Sequence, residues 1–268
     1  MQLIETHAHL DDQKFSADLE DALARAQAAG VTRIISIGTN AEGNKKTLAL
    51  ADRYPSIYPA VGLHPTEVAR EKLNLAALRE AASHAKVVAI GEIGIDYYHR
   101  PEDMSSAAEA DWKGAQAEAF CQQLDLAVEL GLNVIIHQRD RQSGEAWDET
   151  LKLLKPYTGK LHAVFHCFGG TPAQAAELAR LGHLVSFTGI ITFKNAAIVR
   201  ETAAAVAADG YMVETDSPYL APMPYRGERA EPAHTRLVAE QVAVVRGISL
   251  EQVAAATTAT AEKFFRFS

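Results

Sequence analysis

Cysteine is scarce in this chain of 268 residues: Cys121 and Cys167 are its only two, and no Cys-x-x-Cys pair occurs. That excludes a disulfide framework. Long apolar runs are missing as well, and none approaches the roughly 18 residues of a membrane span. The start, Met1-Gln2-Leu3-Ile4-Glu5, lacks the basic and apolar regions of a secretory signal. A reducing cytoplasm is therefore the expected compartment, with no membrane association and no obligate protein partner. Basic charge is short: 26 Lys and Arg stand against 34 Asp and Glu, a formal net charge of −8. A broad electropositive surface for gripping duplex DNA is thereby excluded, whereas a narrow, locally basic or metal-charged pocket for a phosphate is not. Neither a Gly-x-Gly-x-x-Gly after the first strand candidate nor a P-loop is present. With 48% hydrophobic and 22% charged residues, the composition also excludes intrinsic disorder and collagen-like repeats.

What the chain does contain is an alternation. Short Ile- and Val-rich runs begin at Leu3-Ile4 and recur at 33–37, 57–61, 87–90, 133–136, 162–165, 183–187 and 211–213. Many are continuously apolar, the pattern of strands buried on both faces of a parallel sheet. Helical spacing fills the intervals, at about 16–29, 40–53, 72–83, 111–130, 143–154, 171–181 and 196–208, with two more helices at 232–245 and 249–264. Ser16 is placed to cap the first helix, Glu20 to support its first turn and Gly30 to end it. Eight strand–helix units in about 250 residues is the arithmetic of an α/β TIM (β/α)8 barrel, with a doubly wound sheet as the alternative. The expectation is one barrel domain over residues 1–268. The one irregular piece is a polar loop from Tyr97 to Asp111, a length often associated with function.

Ten histidines are present, and their positions are the main functional signal. His7 and His9 stand two residues apart at the end of the first strand, so the strand period sends both side chains to one side. Glu92 ends the fourth strand, His137 the fifth, His166 the sixth and Asp216 the eighth. All six fall at the C-terminal ends of strands, the face on which such barrels build active sites. Imidazole and carboxylate are good ligands for Zn²⁺, Mn²⁺ or Fe²⁺, with more oxygen favouring Mg²⁺. Taken singly each has a structural explanation: a hydrogen-bonded strand-end histidine, a buried ion-pair partner for Glu92, a turn initiator for Asp216. Six such coincidences on one barrel face point instead to metal binding.

The segments Glu5-Thr6-His7-Ala8-His9-Leu10, Gly62-Leu63-His64-Pro65, Gly91-Glu92-Ile93-Gly94-Ile95-Asp96-Tyr97-Tyr98, His137-Gln138-Arg139-Asp140, His166-Cys167-Phe168-Gly169-Gly170 and Glu214-Thr215-Asp216-Ser217-Pro218-Tyr219-Leu220 together closely resemble the TatD family of metal-dependent hydrolases. The likeness spans nearly the whole chain, in order. It implies an amidohydrolase-like TIM barrel, a binuclear divalent-metal centre (Mg, Mn or Zn) and phosphodiester hydrolysis on DNA, often as an exonuclease. Carried over by position, His7, His9, Glu92 and Asp216 would hold one metal, and Glu92, His137 and His166 the other, with Glu92 bridging. Two departures stand out. Glu5 occupies a place where the family commonly has Asp, which moves a supporting carboxylate by one methylene. Ala230 stands where an Asn is common, removing an amide near Arg226. The 97–111 loop also looks long for the family.

A metal pair of this kind lowers the pKa of water, stabilises charge on phosphoryl oxygens and orients in-line attack. Asp216 is then placed as general base or as ligand alone. His64, in Gly-Leu-His-Pro, is a candidate for contact with phosphate or a leaving oxygen, or a packing residue before a Pro turn. Arg139 and Arg226 offer forked donors to a phosphate, or pair with Asp140 and Glu228. Asp96 and Glu214 suit the support of metal-bound imidazoles. Tyr97 and Tyr98 would stack on a base of single-stranded DNA or simply pack. Cys167 should point away from His166 and be a buried small residue. The expected activity is a deoxyribonuclease working on strand ends or short single strands, since little counterion-releasing surface exists for long duplex. The alternatives are a metal-dependent esterase or deacylase, a small phosphoesterase, a mononuclear deaminase-like enzyme and a non-catalytic scaffold on the same barrel.

Overall fold

The computed structural model describes residues 1–101, 104–141 and 144–267. Strands β1 (Leu3–Ala8), β2 (Val31–Ile37), β3 (Ile57–Val61), β4 (Ala89–Asp96), β5 (Asn133–Arg139), β6 (Ala163–Phe165), β7 (Leu184–Phe187) and β8 (Tyr211–Val213) form one parallel sheet in sequential order. Helices α1 (Leu19–Ala28), α2 (Ala41–Arg53), α3 (Leu75–Ala82), α4 (Ser106–Leu130), α5 (Glu145–Leu154), α6 (Pro172–Arg180) and α7 (Ala197–Ala205) connect them, and α8 (Thr235–Arg246) and α9 (Leu250–Phe265) follow. This is the TIM barrel that the alternation predicts. No helix among the described residues is long and apolar enough to cross a membrane.

The apolar runs split between two clusters, as a closed sheet requires. Ile4, Ile35, Ala60, Ala89, Ile135, Val164 and Met212 pack with one another and with Ala261, Phe264 and Phe265 of α9, which plugs the barrel at the end away from the site. Their neighbours Leu3, Ile34, Val61, Ile90, Val134, Phe165 and Val213 join the cluster under the surrounding helices.

Several boundaries differ from the sequence expectation. β4 and β5 run further, so Glu92 and His137 lie inside strands rather than at their ends. The reason is the close approach of the two strands at glycines: a Cβ on Gly91 would meet Ile135 Cβ at 2.7 Å, and one on Gly94 would meet the His137 carbonyl oxygen at 2.0 Å. The loop after β4 is shorter than 97–111, because Ser105 caps α4 by accepting from Ala108 N and the Ala-rich stretch behind it is already helical. Ser16 does not cap α1. It ends a 3₁₀ turn, Gln13–Phe15, pinned by fully buried Phe15, and α1 starts three residues later. The Ser143 end of the expected fifth helix lies outside the described residues. The long irregular segment between β8 and α8, left without an element by the sequence reading as well, carries Asp216 and Arg226.

Barrel closure runs through that segment. β8 is only three residues long, and the sheet is joined across the seam by the residues after it. Asp216 N donates to the His7 carbonyl at 3.0 Å, and His9 N donates to the Ser217 carbonyl at 2.7 Å. Thr6 Oγ1 donates to the Val213 carbonyl at 3.1 Å. The bonds that close the barrel are thus the ones that bring Asp216 beside His7 and His9.

Candidate metal centre

Glu92, 2% exposed, lies at the middle of the C-terminal face. Its Oε2 is 3.3 Å from His7 Nε2 and 3.7 Å from His9 Nε2. Its Oε1 is 2.7 Å from His166 Nε2, 2.8 Å from His137 Nδ1 and 3.3 Å from His64 Nε2. Asp216 Oδ1 completes the first set, 3.3 Å from His9 Nε2 and 3.8 Å from His7 Nε2. One carboxylate therefore faces two separate groups of nitrogen donors, one with each oxygen. Among the described residues, His7, His9 and Asp216 form one cluster able to hold an ion, and His64, Glu92 and His137 another. A third grouping joins His7 and His166 to Glu214.

Both ring nitrogens of His7 and Nδ1 of His166 are buried without a hydrogen-bond partner. His7 Nε2 is close to Glu92 but not aligned to donate to it. Buried polar atoms left without partners are costly, and a cation between the imidazoles and the carboxylates would satisfy Nε2 of His7, the nitrogen that faces Glu92 and Asp216. The nitrogen and oxygen donors present fit divalent Zn, Mn or Fe, or Mg with added water.

A surrounding layer holds the donors in place. Asp96, fully buried, accepts from His137 Nε2 at 2.9 Å and from His99 Nδ1 at 2.7 Å on the same oxygen. Glu214 accepts from Cys167 N and Ser186 Oγ, each at 2.6 Å, and lies 3.6 Å from His166 Nδ1. Glu5 accepts from His7 N at 2.8 Å and Thr215 N at 3.0 Å, tying the two sides of the seam together.

The electrostatics follow from this packing. Burial works against the charge on Glu92, yet the imidazoles of His166, His64 and His7 hold its carboxyl well below the usual range. Burial pushes His7 and His64 down, toward the neutral form that ligates metals. His166 is also penalised by burial, but Glu92 and Glu214 outweigh that and raise it well above the ordinary value. Burial raises Glu5 to about 8.

The centre opens into a cavity of about 1380 Å³ lined in part by His64, His99, Arg139, Trp147 and Tyr219. Arg226 is not brought to it: its guanidinium is exposed and lies 4.5 Å from the Phe193 ring centroid. Ala230 is fully buried, and its N–H donates to the Pro218 carbonyl at 3.2 Å. The two tyrosines separate, Tyr97 being buried against Trp112 while Tyr98 is 42% exposed beside Arg139. Cys167 departs from the expected outward direction. β6 has ended by then, the residue takes a left-handed φ of 48°, and it lines the cavity next to His166. His99 and Tyr219 were not singled out as site residues by sequence. His99 sits three residues beyond Asp96 in an irregular turn, where no periodicity reports its direction.

A parallel barrel with mixed imidazole and carboxylate donors gathered at its C-terminal mouth defines the class of metal-dependent hydrolases. Within it, the chain belongs to the TatD related DNase family, which matches residues 4–266. It is 35% identical to an uncharacterized metal-dependent hydrolase, YabD, of Bacillus subtilis, across 99% of this chain and 100% of that one. It is 36% identical to the 3'-5' ssDNA/RNA exonuclease TatD of Cronobacter sakazakii, across 96% and 95%. The crystal structure of YJJV, a TatD homolog of Escherichia coli K12, superposes with a TM-score of 0.87 at 30% identity, covering 99% of this chain and 98% of that one.

Proposed function

We propose that this hydrolase cleaves phosphodiester bonds of DNA, acting as an exonuclease on single strands or strand ends. The observation that carries the reading is the division of Glu92, one oxygen toward His7, His9 and Asp216 and the other toward His137, His166 and His64. His7, His9, Glu92 and Asp216 would hold one divalent ion, and Glu92, His137 and His166 a second. When bound, such a pair supplies Lewis acidity to water and to the phosphoryl group. Asp216 accepts the proton of the attacking water. His64 and Arg139 line the cavity and orient the phosphate, Arg139 by its forked donors. Arg226, outside the cavity, is assigned no part. The single-strand preference is supported by the net charge of −8 and by the name of the Cronobacter relative.

The test is a metal series. Chelated protein is reloaded with Mg²⁺, Mn²⁺ or Zn²⁺ and incubated with end-labelled single-stranded and duplex DNA, RNA and a carboxylic ester. The expected result is a metal-dependent ladder of progressively shortened single strands that Asp216→Ala abolishes. Ester turnover with intact nucleic acid would overturn the reading.

A further inference from the structure

His99 is absent from the assignments above, yet its geometry is that of a built acid. Its backbone N–H donates to Asp96 Oδ1 at 2.8 Å, and its ring Nδ1 lies 2.7 Å from Asp96 Oδ2. A carboxylate only accepts, so Nδ1 carries the hydrogen, and Nε2 is the ring nitrogen left available. The side chain is 49% exposed and lines the cavity of the metal centre. Beside it, the Tyr98 ring meets the imidazole edge-on at 5.0 Å and carries the Arg139 guanidinium 4.1 Å from its centroid. A cation suited to a phosphate and an imidazole suited to proton transfer thus share one rim. Their place relative to Asp216 is informative. Asp216 belongs to the donors around Glu92 Oε2, whereas His99 reaches the centre through Asp96 and His137, which faces Glu92 Oε1.

We propose that His99 is a catalytic residue that protonates the leaving oxygen, on the side of the centre away from Asp216; this rests on the phosphodiesterase reading. The water oxygen attacks phosphorus and its proton passes to Asp216. The bond from phosphorus to the sugar oxygen breaks, its electron pair stays on that oxygen, and the proton comes from Nε2–H of the His99 imidazolium. Asp96 orients the ring by accepting from Nδ1–H, as a carboxylate does in other Asp–His pairs. Solvent then carries the proton from Asp216 back to His99, so the cycle consumes one water and nothing else.

A sugar alkoxide needs this proton, whereas p-nitrophenolate departs without one. The experiment compares wild-type holoenzyme with His99→Gln and His99→Ala on an oligodeoxynucleotide and on the p-nitrophenyl ester of thymidine 5'-phosphate. The ratio of kcat on the oligonucleotide to kcat on the aryl ester is expected to fall about a hundredfold in both variants. Metal content is expected to match wild type. In ¹⁵N-histidine spectra, neutral His99 should carry its proton on Nδ1. An unchanged ratio, lost metal or an Nε2–H tautomer overturns the assignment and leaves the phosphodiesterase reading standing. A wild-type enzyme inactive on the oligonucleotide overturns both.

Discussion

Asp96 accepts from Nε2 of His137 at 2.9 Å, which turns Nδ1 of the same ring to Glu92 at 2.8 Å. The orientation of a candidate ligand is thus set by a carboxylate that is itself buried and held ionised. Burial opposes that charge, but the hydrogen bonds from His137 and His99 prevail and keep Asp96 well below the ordinary carboxylate value. Asp96→Asn keeps the shape and removes the charge. It is expected to weaken metal binding about 10- to 100-fold without unfolding the chain. Calorimetric titration of chelated protein measures this, and an unaltered Kd would show that Asp96 does not tune the site.

Glu5 keeps a proton in the folded chain, its carboxyl being raised by burial from 4.5 to about 8. Thr235 Oγ1 donates to Glu5 Oε2 at 2.5 Å and favours the charged form, but burial outweighs it. Between about pH 4.5 and 8 the unfolded chain sheds this proton while the folded chain retains it. Stability of the metal-free protein therefore falls as pH rises through that window, by something on the order of 5 kcal/mol in all, and levels off above it. Glu5→Gln should remove this part of the slope. Urea midpoints of chelated wild type and variant, taken across the window, test the sign.

Gly94 is needed for the approach of β4 to β5. Its φ is 141°, and an added Cβ would lie 2.0 Å from the His137 carbonyl oxygen. Gly94→Ala is expected to cost about 3 kcal/mol or more and to displace His137. A thermal midpoint within about 2 °C of wild type would contradict this.

Arg139 and Arg226 are expected to behave differently, because only the first lines the cavity. Arg139→Ala should raise KM for oligonucleotides about tenfold, the loss of one charged hydrogen bond, while Arg226→Ala stays within about twofold. Equal effects would place the substrate across the outer surface, over Phe193.

Much of the architecture was readable before any coordinates. The runs 57–61 and 211–213 coincide with β3 and β8, and Asn40 and Ser249 cap the helices expected after them. These features depend on neighbours within a few residues. The start of α1 was misread because Phe15, a distant core contact, holds the chain in a 3₁₀ turn past Ser16. Cys167 was misread because strand alternation was extended past Phe165, where β6 stops.

The sequence by itself determined the barrel and the chemical identity of the donors, since apolar periodicity and residue type are local properties. Only the tertiary structure decided how Glu92 is shared. Strand alternation counted from Ile90, which packs under the helices, would send Glu92 outward with it. The pairing of β4 with β5 shifts between Ile90 and Ile93, so Ile93 and Ile95 take the outer places and Glu92 turns to the imidazoles. Likewise, Asp216 meets His7 and His9 through bonds that close the barrel between segments more than two hundred residues apart. Such pairings depend on the closed sheet as a whole, and no local pattern encodes them.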